Sequence, residues 1–289
     1  MPVEIVPVKV PGLWPITREV GSIKVAGRQI SELILSRIPE VPADRTLSIR
    51  ADFLPTLEFA KLIALSSGNC VVRDSSDGAN VMQLTLAGVS GAPTVIAIDP
   101  DSFRIRHPWD LLALNEQLVG KLVANRLEGT VRTGATLDGF VQLGRNSVIL
   151  PGVYIEGNVV IGENCKIGPN CYIRGNTSIG DNCHIGQAVE IKNSLIGKKV
   201  CVGHLSYAGD SVISDGVNFG AGTIVSNLRH DGRNHRWLEN QAFVDTGRRK
   251  FGAIIGENVH TGIHTSIYPG RSLSDNCATL PGEIVSHSK

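Results

Sequence analysis

At 289 residues the chain exceeds one average domain and has room for about two. Its 28 Lys and Arg nearly cancel 27 Asp and Glu, leaving a formal charge of +1, which excludes a chain built for bulk electrostatic binding of nucleic acid. No run approaches the roughly 18 apolar residues of a membrane span, and the opening Met1-Pro2-Val3-Glu4-Ile5-Val6-Pro7 has no basic region leading into an apolar core. The expected place is the cytoplasm, with neither nucleic acid nor membrane as a partner.

Residues 1–102 read as a reduced α/β domain. Apolar runs at Thr46–Ile49, Val81–Leu86 and Pro93–Ile98 predict strands, and Ile30–Ile38 and Leu54–Ser66 predict helices, the second capped by Asp52. Asp52, Asp99 and Asp101 are expected as caps and turn residues, not as metal ligands. Within 103–126, Pro108–Ala124 has apolar residues at helical spacing and a proline at its start, which predicts a connecting helix.

From Val131 to Ile191 an aliphatic residue recurs at every sixth position: Val131, Leu137, Leu143, Ile149, Ile155, Ile161, Ile167, Ile173, Ile179, Ile185, Ile191. Neither an α-helix nor a single strand has that period. Four residues after each aliphatic stands a second, usually small residue, and Gly, Asn and Asp fill the turns between. The pattern predicts a mainly β architecture over 127–289: a left-handed parallel β-helix of hexapeptide repeats, with the small α/β domain before it. Cys165, Cys171 and Cys183 occupy the inward small-residue slot and are expected as packing residues, not as disulfides. The register tightens twice, from Ile191 to Ile196 and from Ala208 to Ile213, and an inserted loop, 228–250, interrupts it. That loop holds Arg229, His230, Arg233, His235, Arg236, Arg248, Arg249 and Lys250, so it reads as an anion-facing loop, with a solvated charged flap as the alternative.

Because three hexads close one coil, residues eighteen apart stack. Arg174 and Lys192 are so spaced, each directly after the aliphatic of its hexad, and should lie about 4.8 Å apart on one outer face. Two adjacent cations call for an anion, and phosphate suits them, unless the side chains splay into solvent. Beyond the first tightening come His204, a side chain able to take a proton near neutrality, and Tyr207. Asn218 and Asn227 follow with amides suited to polar substrate groups. Glu190 is expected on the opposite side of the strand from Lys192 or at a corner, either orienting His204 or pairing with Lys192. A rival reading joins His184, His260 and His264 to His204 as zinc ligands. That reading rests on likeness to the left-handed β-helix proteins that hold zinc with three histidines, whose local pattern His260-Thr261-Gly262-Ile263-His264 does not reproduce, and no metal is expected.

The segments Val202-Gly203-His204-Leu205-Ser206-Tyr207-Ala208-Gly209-Asp210 and Val217-Asn218-Phe219-Gly220-Ala221-Gly222-Thr223-Ile224, followed by Ser226-Asn227, resemble the acetyltransferase half of the bifunctional N-acetylglucosamine-1-phosphate uridylyltransferases. Val189-Glu190-Ile191-Lys192 and Arg174 match as well. Gly247-Arg248-Arg249-Lys250-Phe251-Gly252-Ala253-Ile254-Ile255-Gly256 is more similar to the archaeal-type sugar-1-phosphate nucleotidylyltransferase/acetyltransferases. The resemblance spans roughly Phe103 to Gly282.

It implies acetyl transfer from acetyl-CoA to the amine of a hexosamine 1-phosphate in a homotrimer, without a metal. By that likeness His204 is the general base and Asn227 positions the amine. Arg174 and Lys192 bind the phosphate, while Tyr207, Asn218, Lys250 and Glu190 belong to the sugar-phosphate site. Ala221, Gly222 and Ile263 fall on the cofactor side, with a backbone donor at Ala221 for the developing oxyanion. The chain departs from the bacterial pattern at Ile263, where that family has serine, and at Pro281, where it has alanine. Gly12-Leu13-Trp14-Pro15-Ile16-Thr17-Arg18 echoes the opening of a nucleotidylyltransferase, and Ile105–Leu112 its link to the β-helix. Too few residues lie between them for that domain, and its Gly-rich loop is missing, so nucleotidyl transfer is not expected. Two alternatives stay open: acylation of a nucleotide-linked amino sugar, and a non-catalytic trimeric scaffold that binds sugar nucleotides.

Overall fold

The computed structural model describes residues 2–239 and 241–289. Contacts divide the chain into two compact units, one of Met1–Pro11, Arg18–Ile23 and Arg28–Arg106, the other of Gly12–Thr17, Lys24–Gly27 and His107–Lys289.

The first unit is built on a mixed five-stranded sheet, in the order Val3–Val6, Arg45–Arg50, Asn80–Leu86, Cys70–Arg73, Thr94–Ala97. Its central strand, Asn80–Leu86, alternates exposed and buried residues, as expected for a strand with one covered face. Two helices accompany the sheet, α1 (Ile30–Leu35) and α2 (Leu57–Ala64). The expected cap of the second helix is corrected here. Thr56, not Asp52, accepts the Phe59 N–H at 3.1 Å. Asp52 is instead 1% exposed and receives Arg50 at 2.9 Å and Arg104 at 3.2 Å, because a carboxylate taken out of water must be paired. Asp99 is a turn residue, accepting from Thr56 Oγ1 and Ser102 Oγ.

The second unit is a parallel β-helix with three faces. The first face runs from Arg126–Leu127 to Arg271–Leu273, the second from Thr130–Val131 to Asn218–Phe219, and the third from Thr136–Asp138 to Ile284–Val285. Every step along a face is a parallel pairing, such as Ile155 with Ile173 and Ile173 with Ile191. The aliphatic positions meet inside as one continuous core, with Ile149, Ile155, Ile167, Ile173, Ile185 and Ile191 fully buried. Asparagine suits the turns because it tolerates left-handed backbone: Asn146 and Asn164 both have positive φ, and their amides bond at 3.2 Å. The three inward cysteines are free thiols and buried. Cys171 is held against Gly186 O at 2.6 Å, and burial pushes its pKa up to about 11.

Helix α3 (Pro108–Val119) is shorter than the expected span and stops at Gly120. It lies on the first face of the coil, where Ser178 Oγ donates to Asn115 Oδ1 at 2.7 Å and Asn115 Nδ2 donates to the Asn176 carbonyl at 2.7 Å. The inserted segment leaves the coil after Val225 and returns in register, with Ile213 beside Ile255 and Val225 beside Ile267. Within it Arg236–Glu239 and Ala242–Asp245 form an antiparallel hairpin. Trp237 packs edge-on to Trp109 and to Phe251, and His107 Nε2 meets Glu239 at 3.1 Å. The alternative of a solvated charged flap does not describe the hairpin: an aromatic cluster pins it to the start of α3.

Removing the side chain of Ile173 should open a cavity between coils that cannot close without breaking register. Ile173→Ala is expected to cost about 2–5 kcal/mol and Ile173→Val less than about 1.5 kcal/mol, read by urea unfolding. Equal, small losses for both would show that the coil interior is not a packed core. The hairpin should also respond to pH. Burial pulls the pKa of His107 down, but hydrogen bonds to Asp110 and Glu239 outweigh it and the net shift is upward. Its contribution is thus complete below the ordinary histidine value and lost as pH rises through the elevated one. Hydrogen exchange at Arg236–Asp245, corrected for intrinsic rates, should accelerate above neutrality in the wild type and show no such dependence in His107→Gln.

Candidate functional site

The expected stacking of Arg174 over Lys192 is present: the two are register partners on the third face. What lies between them differs from expectation. Each cation already has a carboxylate, Arg174 bonding Glu190 at 2.7 Å and Lys192 bonding Asp210 at 2.8 Å. Glu190 is accordingly corrected: it flanks the inward Ile191 on the same outward side as Lys192, and it pairs with Arg174 instead of Lys192 or His204. Two carboxylates hold the two cations side by side, and the Arg174 guanidinium also lies over the Tyr172 ring at 5.2 Å.

Asp210 gathers this site. It is 3% exposed, has φ +51°, and receives Lys192 Nζ, Asn193 Nδ2 at 2.9 Å and Asn227 Nδ2 at 2.5 Å. Asn227 spends its second amide hydrogen on Tyr207 Oη at 3.0 Å, which leaves its carbonyl oxygen as the group that can face a ligand. Burial, followed by the negative charges of Asp210 and Glu190, raises the Tyr207 pKa, so the phenol stays protonated and can donate. Gly209 permits this arrangement. It stands beside Lys192 in the register, and a Cβ there would meet Tyr207 Oη at 2.3 Å and Asn227 Nδ2 at 2.6 Å. Asn193 Nδ2 also donates to Glu116 of α3 at 2.6 Å, and the same carboxylate pairs with Arg248 from the inserted segment.

His204 lies at the corner that leads from the second face to the third, and its side chain is exposed. The coils above it stack in order: the His204 carbonyl accepts from Gly222 N–H at 3.0 Å, and the Ala221 carbonyl accepts from His264 N–H at 2.8 Å. Gly222 takes φ +75°, and Ile263, next in that column, is 52% exposed. The structure thus brings Lys192, Tyr207 and Asn227 into one bonded group through Asp210, sets the Arg174–Glu190 pair beside it in the register, and places His204, Ala221, Gly222 and Ile263 along the neighbouring corner. Asn218 stands apart on the second face beside Cys201, and Lys250 is an exposed residue bridged through its backbone to Leu228. Among the described residues, no three His, Cys, Asp or Glu side chains gather in a metal-binding group. His184 and His260 share an outward column with Cys201 and Asn218 between them, about 14 Å apart at ordinary strand spacing.

Sequence reasoning missed Asp210, Asn193, Gly209 and Glu116. Counting through the tightened coil would have pointed to the first: a step of seventeen puts Gly209 beside Lys192 and Asp210 next to it at the corner, where an acid answers the lysine.

With this geometry in hand, likeness to known proteins becomes specific. A family described as the GMPPB C-terminal domain matches residues 155–279. A bifunctional sugar-1-phosphate nucleotidylyltransferase/acetyltransferase of Sulfurisphaera tokodaii is 39% identical over 63% of this chain and 45% of its own length. The bifunctional protein GlmU of Methanococcus maripaludis strain C7 is 48% identical over 60% of this chain and 41% of its own. Over roughly its C-terminal 60%, the chain is a homologue of these bifunctional enzymes. It spans under half the length of the curated relatives it matches. A crystal structure from Bacillus cereus aligns over 54% of this chain and 71% of that one at 20% identity, with a TM-score of 0.31. No helix among the described residues is long and apolar enough to cross a membrane.

Removing the Asp210 carboxylate should leave the partly buried Lys192 without a counter-charge. Asp210→Ala is expected to cost on the order of 3 kcal/mol, because breaking a buried pair strands its partner. Lys192→Met combined with Asp210→Ala should recover part of that loss. A double variant as unstable as the two single losses added together would show that the two side chains are not coupled.

Proposed function

We propose that the chain is an N-acetyltransferase that moves the acetyl group of acetyl-CoA onto the amine of a hexosamine 1-phosphate, glucosamine 1-phosphate or an epimer. The observation that carries this reading is Arg174 stacked on Lys192, with Lys192, Tyr207 and Asn227 bonded through Asp210 beside the His204 corner, on a chain homologous to sugar-phosphate acetyltransferases. An incoming phosphate competes with Glu190 and Asp210 for the two cations, Arg174 supplying a fork and Lys192 a point charge. Tyr207 donates to the same phosphate. Asn218 and Lys250 contact the sugar, and since neither joins the bonded group within one chain, a homotrimer with its sites between neighbouring rods is the assembly proposed.

The chemistry is then acyl transfer. The substrate amine, oriented by the Asn227 carbonyl, attacks the thioester carbon as His204 takes its proton. Charge develops on the thioester oxygen, where the Ala221 N–H is offered as donor. Collapse of the tetrahedral intermediate breaks the carbon–sulfur bond and returns the proton to the departing CoA thiolate. Ile263 and Gly222 line the cofactor side, with apolar contact at Ile263 replacing the hydroxyl that the bacterial family offers. The first unit is read as lacking nucleotidyl transfer, no metal is required, and the cytoplasm is the proposed place of action.

The test is release of free CoA from acetyl-CoA in the presence of a panel of hexosamine 1-phosphates. His204→Ala should lower kcat about 10²–10⁴-fold, while Lys192→Ala should raise KM for the sugar phosphate and leave KM for acetyl-CoA unchanged. No release with any member of the panel overturns the reading, and full activity in His204→Ala overturns the assigned base.

A further inference from the structure

The inserted segment builds a second concavity that the proposed acetyl transfer does not use. A cavity of about 460 Å³ lies between this segment and the end of the third face, walled by Arg229, Arg236 and Arg271 and by Tyr268. The volume is that of a small-molecule site, well beyond what a lone phosphate fills. The wall carries three guanidiniums and one acid: Arg229 makes a two-point ion pair with Asp231, Arg236 lies over the Phe243 ring at 5.1 Å, and Arg271 Nε donates to the Ser286 carbonyl at 2.6 Å. His230 and His235 are the other titratable groups in the wall. His235 is 3% exposed, and its Nε2 has no hydrogen-bond partner among the described residues, an orphaned polar atom at the edge of a cationic cavity.

Position separates this cavity from the sugar-phosphate group. Ser226, one of its lining residues, falls one coil beyond Gly209 and so two beyond Lys192, about 10 Å along the rod. Tyr268 is one coil further, following the strand Ser266–Ile267. Both residues lie at the end of the third face away from the corner that carries Ala221 and Ile263. A ligand here therefore clears both the acetyl-transfer corner and the Arg174–Lys192 pair. Arginine forks suit the paired oxygens of a diphosphate, and the half-exposed Tyr268 ring offers a stacking face to a nucleobase.

We propose that this cavity is a nucleoside diphosphate site, in which Arg229, Arg236 and Arg271 hold the diphosphate and Tyr268 meets the base. The shared chemistry has two sources, a free nucleotide or nucleotide sugar, and the adenosine diphosphate end of CoA. The location away from the Ile263 corner favours the first.

Isothermal titration calorimetry on the full chain tests it without any assay of acetyl transfer, so its failure is distinct from failure of the acetyltransferase reading. UDP, GDP, ADP, inorganic pyrophosphate and CoA are titrated separately. At least one of UDP, GDP and ADP is expected to bind ten-fold or more tighter than pyrophosphate. Arg229→Ala/Arg236→Ala should weaken that binding at least ten-fold with the thermal midpoint unchanged, and Tyr268→Ala should bring nucleotide affinity down to that of pyrophosphate. Lys192→Ala should leave it unaltered. Failure of all three nucleotides to bind, or loss of binding in Lys192→Ala with none in the double arginine variant, overturns the assignment. Binding of CoA alone, sensitive to the arginine pair, overturns a separate nucleotide site.

Discussion

The site depends on one buried negative charge. Asp210 sits at a corner of the coil with almost no access to water, and a carboxylate there is tolerable only if donors surround it. Lys192, Asn193 and Asn227 provide them, and each is thereby fixed. The lysine that would meet a phosphate cannot wander, and the asparagine amide is turned so that its oxygen faces outward. Tyr207 is fixed at second hand, through Asn227. A ligand phosphate therefore meets a preformed arrangement and pays little to order it.

Glu116 extends the same constraint away from the coil. It receives Asn193 from one corner and Arg248 from the inserted segment, so α3, the coil and the loop share a carboxylate. The aromatic cluster of Trp109, Trp237 and Phe251 supplies apolar burial to the same junction. Helix α3 thus does more than connect. It covers the first face and anchors the segment that forms one wall of the cationic cavity.

Much of this was legible in the sequence, for a physical reason. A coil of fixed length converts spacing into contact, so the inward isoleucines and the stacking of Arg174 over Lys192 could be read by counting. The partners of those cations were not legible in the same way. Glu190 was misplaced because two residues around an inward aliphatic share the outward side, a parity that the corner obscured. The hairpin was beyond counting altogether, since its stability rests on Trp109 and His107, far away in sequence. The Asp52 cap failed for a different reason: propensity favours Asp and Thr alike at that position, and the demand of two arginines for a carboxylate decided between them.

The irregularities of the repeat and the site have a common origin. At ordinary third-to-first corners a glycine with positive φ makes the turn and another residue follows before the next strand, as with Gly157 and Gly175. At the two tightened corners that glycine is replaced: Asn193 and Asp210 themselves adopt the left-handed conformation and one residue is lost. The backbone ladder nevertheless runs through unbroken, Asn193 N–H to Arg174 O, Asp210 N–H to Lys192 O, and Gly252 N–H to Asp210 O. Shortening the turn while keeping the ladder places a polar side chain at each tightened corner, and Asp210 is covered there by Lys192, Asn193 and Asn227, which bond it. The next corner on the same edge is where the inserted segment opens, beginning at Ser226 and Asn227. Three consecutive corners on one edge thus depart from the repeat, and between them they supply Asn193, Asp210 and Asn227. A perfectly regular coil would have placed glycine at the first two and could not have held Lys192 in place.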